Sequence, residues 1–286
     1  MNTDAWIVPE WPAPQTVRAV VTTRNGPGIS QSPFDAFNLG ARCGDDPQVV
    51  AQNRARLREA LQLPSAPRWL RQVHGTGVAE FNPGLPPDFP PQTREGEELR
   101  SALAPPLFTR EEGTDAKDLP EEPDADAAHT RTPGVVLAIL TADCMPVLFC
   151  AHDGSEIAAA HAGWRGLCAG VLEDTLAAMR TSREGVLAWL GPAIGAHSYE
   201  VGNEVRQAFL EHDRAAAQAF QPTRPGHWSC DLYALARQRL HAAGIMQISG
   251  GGFDTFTDPR LYSYRRDGAR SGRFATLIWM EGQNNR

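Results

Sequence analysis

The sequence predicts a mixed fold of helices and strands, α+β or mixed α/β, built as one domain that carries an acidic insert. Three observations lead there. Short apolar runs of strand length are mixed with amphipathic stretches of helical period, and neither a repeating βα unit nor an internal repeat is present in the 286 residues. The run Val135 to Leu140 is continuously apolar, as in a strand covered on both faces. Residues 82–126 break the pattern: they hold 12 Asp/Glu against 4 Lys/Arg and 9 of the 23 prolines, without apolar periodicity.

The elements follow in order. Val17 to Thr23 reads as a strand, ended by the Asn25-Gly26-Pro27-Gly28 turn. Asp46-Pro47 opens a helix that continues through Leu63, with Val49, Val50, Leu57 and Leu61 at helical spacing. Residues 82–126 read as a flexible insert between 1–81 and 127–286, with Leu103 to Phe108 a stretch able to dock. After Val135 to Leu140 come a strand at Pro146 to Cys150, a turn at His152 to Ser155 and a strand at Ile157 to Ala160. A helix is expected from about Gly166 to Arg180, with Leu167, Val171, Leu172, Leu176 and Met179 on one face. Val186 to Leu190 is a strand, and Val201 to His212 a helix. Asp231 to Ala243 is a second helix, with Asp231 as N-cap and Gly244 past its end. Ile245 to Ser249 and Phe274 to Trp279 complete the strands.

Charge narrows the function. The chain carries a net charge of −7, the insert alone −8, so the remaining body is close to neutral and offers no broad face for nucleic acid. Lys117 is the only lysine, which leaves arginine as the anion binder of the body. No apolar stretch approaches the ~20 residues of a membrane span. The N-terminus lacks a basic region followed by an apolar one, so a cytoplasmic location is expected. The five cysteines (43, 144, 150, 168, 230) are odd in number and widely spaced, against a disulfide framework.

Three strings concentrate chemistry at strand ends or glycine-punctuated loops: Gln72-Val73-His74-Gly75, Thr141-Ala142-Asp143-Cys144 and His161-Ala162-Gly163-Trp164-Arg165-Gly166. One cysteine and two histidines supply a thiolate and two imidazoles, a tetrahedral zinc set with an open fourth position. The same residues also suit a metal-free Cys/His nucleophile dyad. Composition leaves both open.

These strings, with FNLG and ARCGDD at 37–46, QVHGTGV at 72–78, LTADCMPVLF at 140–149, AAAHAGWRGL at 158–167, GPAIGAHSYEVG at 191–202, DLYALARQRL at 231–240 and SYRRDG at 263–268, resemble the laccase-domain or "polyphenol oxidase" family, since reinterpreted as purine nucleoside phosphorylases. The resemblance runs from about Val17 to Trp279. It implies a four-layer α/β/β/α sandwich with mixed sheets and a zinc or copper ion held by His74, Cys144 and His161. It further implies phosphorolysis of adenosine, inosine, guanosine and methylthioadenosine, with adenosine deamination through metal-activated water. The chain departs from the family pattern in a longer insert and in GGFDTFTDP and GPAIGAHSYEVG, which lack cysteine here; no implied metal ligand is affected.

Phosphorolysis needs a site for phosphate, because the developing ribosyl cation must meet a positioned nucleophile. Arg165, in a turn that opens a helix, is the first candidate, and Arg42, beside the Gly44-Asp45-Asp46 turn, the second. Cys144, His161 and Arg165 are the candidate catalytic residues. Asn38, Arg42, Asp143 and Arg165 are the candidate substrate contacts, while Arg265 and Arg266 read as braces of the final turn. The expected partners are purine nucleosides and phosphate, with neither nucleic acid nor membrane, for a monomer or small homo-oligomer. The alternatives are a copper-dependent polyphenol oxidase and an editing hydrolase of peptidoglycan precursors. A multicopper oxidase usually builds a trinuclear cluster from His-X-His pairs, and the eight histidines here include no such pair.

Overall fold

The computed structural model describes residues 4–82 and 122–282. The insert's expected flexibility and the docking of Leu103 to Phe108 lie outside the described residues. The chain runs β1 (Trp6–Ile7), β2 (Val17–Thr22), α1 (Pro47–Ala60), β3 (Val78–Glu80), β4 (Ala127–Thr130), β5 (Val136–Thr141), β6 (Met145–Ala151) and β7 (Ile157–Ala162). Then come α2 (Trp164–Ala169), α3 (Val171–Ala178), β8 (Val186–Leu190), β9 (Glu200–Gly202), α4 (Asn203–His212), β10 (Phe220–Arg224) and β11 (His227–Cys230). The chain ends with α5 (Leu232–Ala242), β12 (Gln247–Gly250), α6 (Tyr264–Asp267) and β13 (Phe274–Met280).

Two large sheets stack face to face. One has the order β1-β2-β13-β5 and is antiparallel. The other, β12-β8-β6-β7-β4-β3, is antiparallel in its centre and parallel at both edges. Between them Val21, Leu137, Ile139, Leu148, Ile157 and Trp189 form one core. The outer face of the six-stranded sheet packs Val147, Phe149 and Ala160 against Leu167, Leu172, Leu176, Phe209 and Leu235 of the helices. The outer face of the four-stranded sheet packs Val20, Val136, Ala138 and Leu277 against Leu57 of α1 and the loop residues Phe37 and Leu39. The result is the four-layer α/β/β/α arrangement. It explains why β5 and β6 are apolar throughout: alternate residues of each strand enter different cores, and neither face meets water.

α1 begins where expected, with the Asp46 carboxylate accepting from Gln48 N and Pro47 in the first turn. Elsewhere the boundaries move. The helix expected from Gly166 to Arg180 starts at Trp164 and is cut in two at Gly170, whose φ of 107° lies in the left-handed region. Val201 belongs to β9, and the helix starts at Asn203. A small sheet, β10-β11-β9, has no counterpart in the sequence reading: its strands are polar, and Pro222 lies within one of them. The body also resumes before residue 127. Glu122 accepts from Arg42 and Arg54, Asp124 pairs with Arg71, and Asp126 is fully buried, so these three belong to the domain and not to the insert.

Two buried polar groups sit at the far end of the large sheet. Glu156 is 1% exposed and accepts from the N–H groups of Arg180 and Thr181 and the Thr181 hydroxyl, tying β7 to the end of α3. His129 on β4 lies with Nδ1 3.8 Å from Glu156 Oε1, and that nitrogen has no hydrogen-bond partner among the described residues. Burial lowers the His129 pKa; Glu80 and Glu156 oppose the shift, Arg131 and Arg180 add to it. The unfolded chain therefore takes this proton at a higher pH than the folded one. Stability is complete above an unfolded value of about 6.5 and declines as pH falls through it toward the folded value. His129→Leu should flatten the change in urea midpoint between pH 7.5 and pH 5. An unaltered slope would assign the acid sensitivity to other groups.

Candidate metal centre

Strand pairing and one loop bring the three candidate strings together. β6 and β7 are antiparallel with Met145 opposite Ala162, so Cys144, just before β6, comes beside His161 near the end of β7. The loop carrying His74 is pinned from two sides. The Gln72 carboxamide pairs with the main chain of β5, donating to Leu140 O at 2.8 Å and accepting from Leu140 N at 2.9 Å. The N–H groups of Val73, His74 and Gly75 all point at the Asp126 carboxylate, at 3.1, 3.0 and 2.6 Å. This clamp holds His74 at φ 60°, a left-handed conformation that a side-chain-bearing residue adopts when its surroundings impose it.

Asp126 also fixes the second histidine. Its Oδ1 lies 2.8 Å from His161 Nδ1, with both side chains buried. A carboxylate can only accept, so Nδ1 carries the proton, and the lone pair of the neutral ring is on Nε2. The two imidazoles meet edge to face with centroids 4.9 Å apart, and Cys144 Sγ is 4.0 Å from His74 Nε2. Small residues make the room. A Cβ on Gly163 would come within 2.8 Å of Cys144 Sγ, and one on Gly166 within 2.9 Å of Gly75 O.

Burial would raise the Cys144 thiol, but the His161 and His74 imidazoles outweigh it and bring the group down to about 6. Burial would lower His161, yet the Cys144 thiolate and the Asp126 carboxylate push it up instead. Cys150, with no such neighbours, is driven up to about 12 by burial alone. Cys144 is thus the cysteine that ionises near neutrality; Cys43, Cys150, Cys168 and Cys230 are buried thiols.

One ligand atom from each of His74, Cys144 and His161 lies within 4.8 Å of the others, the single such group of metal-ligating side chains among the described residues. The donor set fits a metal: a thiolate and two imidazoles suit zinc or copper, and a tetrahedral zinc asks for donor separations of about 3.5 Å, a small contraction. His161 is buried, Cys144 half-buried and His74 exposed, so the cluster is open on one side. The third donor distinguishes this arrangement from a simple Cys/His dyad, although Cys144, His161 and Asp126 alone have the makings of an activated thiol.

The other candidates divide. Arg165 follows the His161 loop in α2, is exposed, and lies over the Trp164 ring at 4.6 Å with no carboxylate partner among the described residues. Arg42 pairs at 2.6 Å with Glu122, a carboxylate it shares with Arg54. Asn38 braces its loop: it is fully buried, and its amide serves Gly40, Cys43, Asp45 and Arg273 N. Asp143 is likewise committed, accepting from Thr255 Oγ1 and Arg265 N at 2.6 Å each. The residue that orients the histidines is Asp126, which sequence reasoning left inside the acidic insert. Eleven other acids surround it between 82 and 126, and nothing in their order marks it out.

Comparison with known proteins shows the family. The chain is 51% identical over 283 residues to a Xylella fastidiosa protein named purine nucleoside phosphorylase, covering 96% of this chain and 97% of the relative. It is 46% identical over 275 residues to the Escherichia coli protein named purine nucleoside phosphorylase YfiH, covering 96% and 98%. The crystal structure of a Neisseria meningitidis protein superposes with a TM-score of 0.80 at 39% identity, over 97% of this chain and all of that one. YlmD from Geobacillus stearothermophilus gives 0.77 at 26% identity, over 99% and 98%. A family model described as multi-copper polyphenol oxidoreductase laccase matches residues 18–281, and the chain belongs to that family.

Proposed function

We propose that this protein is a metal-dependent purine nucleoside phosphorylase. It would cleave adenosine, inosine, guanosine and methylthioadenosine with phosphate to the free base and ribose 1-phosphate, and also deaminate adenosine. The observation that carries the reading is the open His74–Cys144–His161 cluster with an arginine on the adjoining helix, Arg165, that has no carboxylate partner among the described residues. Relatives at 46–51% identity bear the phosphorylase name. His74, Cys144 and His161 would hold zinc, or copper, and the bound ion would supply Lewis acidity and lower the pKa of water.

The remaining work belongs to the chain. Asp126 keeps the proton of His161 on Nδ1 and holds the His74 loop in place, so the donors face one point without rearranging. Arg165 would bind phosphate and align one of its oxygens with C1′. As the C1′–O bond forms, the C1′–N9 bond breaks and its electron pair leaves with the purine, which takes up a proton. Deamination uses water in place of phosphate, so it needs the cluster and not the arginine. The substrates are taken to be free nucleosides and phosphate in the cytoplasm, acted on by a monomer or small homo-oligomer.

The test is product analysis on inosine with and without phosphate, and on adenosine without it, together with metal analysis. Hypoxanthine and ribose 1-phosphate should form only with phosphate, and inosine should form from adenosine without it. The protein should carry about one metal ion per chain, and His74→Ala, Cys144→Ala and His161→Ala should each lower that content. Full metal in all three variants, or cleavage indifferent to phosphate, would overturn the reading. Oxidation of phenols finds less support: it calls for additional copper sites, and the described residues hold no second ligand cluster.

A further inference from the structure

Two consecutive arginines in α6 have opposite surroundings. Arg266 is consumed by the protein: its guanidinium donates to the carbonyls of Thr255, Phe256, Asp258 and Leu261 and pairs with Asp267. That is a brace, as the sequence suggests. Arg265 is not. Its guanidinium makes one hydrogen bond, from Nη1 to Glu200 O at 2.9 Å, and rests over the Tyr199 ring at 5.2 Å. No carboxylate pairs with it among the described residues, and it is exposed.

The position of this charge is fixed relative to the metal centre. The Arg265 N–H donates to Asp143 Oδ2, and Asp143 is the residue before Cys144. Asp143 itself is held at φ 91° by the Thr255 hydroxyl on its other carboxylate oxygen and by Ile194 N on its carbonyl. The Tyr199 ring carries the Arg265 guanidinium, and its main chain is tied down in turn, Tyr199 O accepting from Cys230 N. The phenol hydroxyl has no hydrogen-bond partner among the described residues. A charged fork with most of its donors unused thus stands beside an uncommitted hydroxyl, on the Cys144 side of the cluster.

We propose that Arg265, seated on Tyr199 and fixed by Asp143, is an anchor for the anionic co-substrate, acting together with Arg165. The proposal rests on the phosphorolysis reading and deepens it. A guanidinium fork matches the paired oxygens of a phosphate, and a tetrahedral dianion held by two such forks is aligned as well as attracted. Tyr199 restricts the plane of the fork and offers one more donor.

The experiment uses the full chain with its metal, as wild type, Arg265→Ala and Arg265→Lys. Inosine cleavage is measured with phosphate varied at saturating inosine, then with inosine varied at saturating phosphate. Melting temperatures are recorded with and without inorganic phosphate. In Arg265→Ala the KM for phosphate should rise at least tenfold and the KM for inosine less than twofold, with metal content unchanged. Arg265→Lys should recover part of the loss, and the phosphate-induced rise in melting temperature should vanish in Arg265→Ala. An unchanged KM for phosphate with an intact thermal response would overturn the proposal. So would an equal rise in both KM values with a lowered melting temperature, which is the behaviour of a brace. If the wild type cleaves no nucleoside with phosphate, the functional reading fails by itself. The thermal response then decides about Arg265: present in wild type and lost in the variant, the anion anchor stands; absent in both, it falls.

Discussion

Asp126→Ala is expected to lose metal 10–100-fold more readily than the wild type and to be less stable by about 3–5 kcal/mol. The carboxylate is itself fully buried and accepts from three consecutive N–H groups of a partly exposed loop and from the buried His161 Nδ1. Alanine would orphan all four donors, and each buried donor without an acceptor costs about 1–3 kcal/mol before relaxation. His74 would then lose what holds it at φ 60°. Asp126→Asn makes a sharper test. It keeps the volume, but its amide nitrogen must replace either Oδ1, facing the N–H of His74 and of the imidazole, or Oδ2, facing the N–H of Val73 and Gly75, so one pair of bonds fails. Its metal affinity should fall between wild type and Asp126→Ala. Competition against a graded chelator and a urea midpoint measure the two effects. Wild-type affinity in Asp126→Ala would show that the ligands orient themselves.

Gly163→Ala should separate the centre from the fold. The backbone at Gly163 has φ −69° and ψ 162°, which alanine adopts without strain. The added carbon, however, would sit 2.8 Å from Cys144 Sγ and 3.2 Å from His74 Cδ2. One of the two must yield, and both are donors. Metal affinity is expected to drop at least tenfold, with catalysis following it, while the melting temperature of the metal-free protein moves by only a few degrees. Equal metal affinity in Gly163→Ala and wild type would mean that the donor set is loose enough to absorb a methyl group.

Much of this was legible in the chain, for identifiable reasons. Buried strands such as Val136–Thr141 and Met145–Ala151 announce themselves because both faces are dry and nearly every residue is apolar. His74, Cys144 and His161 stand out because their residue types are scarce and lie in glycine-punctuated strings. What stayed hidden has a common cause, which is that its meaning is tertiary. β4 reads Ala-Ala-His-Thr, with little strand preference of its own, and becomes a strand because β7 and β3 flank it. Asp126 is one acid among many until the fold directs four donors toward it. Asn38 and Asp143 stand in chemistry-rich strings, but the hydrogen bonds they make to neighbouring loops belong to the fold and leave no mark in the sequence. Arg265 and Arg266 are chemically identical neighbours, and only their surroundings tell brace from free charge.

The parallel pairing of β3 with β4 bears on how this family can lengthen its chain. Val78 lies opposite Ala127 and Glu80 opposite His129, while Gly77 O accepts from both Asp126 N and Ala127 N. Because the pairing is parallel, the stretch between residues 82 and 122 leaves at the C-terminal end of β3, where Phe81 N donates to His129 O, and returns at the opposite end of β4, where Arg71 N donates to Pro123 O. Doubling such a connection adds roughly 0.6 kcal/mol of closure entropy, whereas slipping β4 by one residue would turn Asp126 away from His161 altogether. Length at this point is a free variable; parity is not.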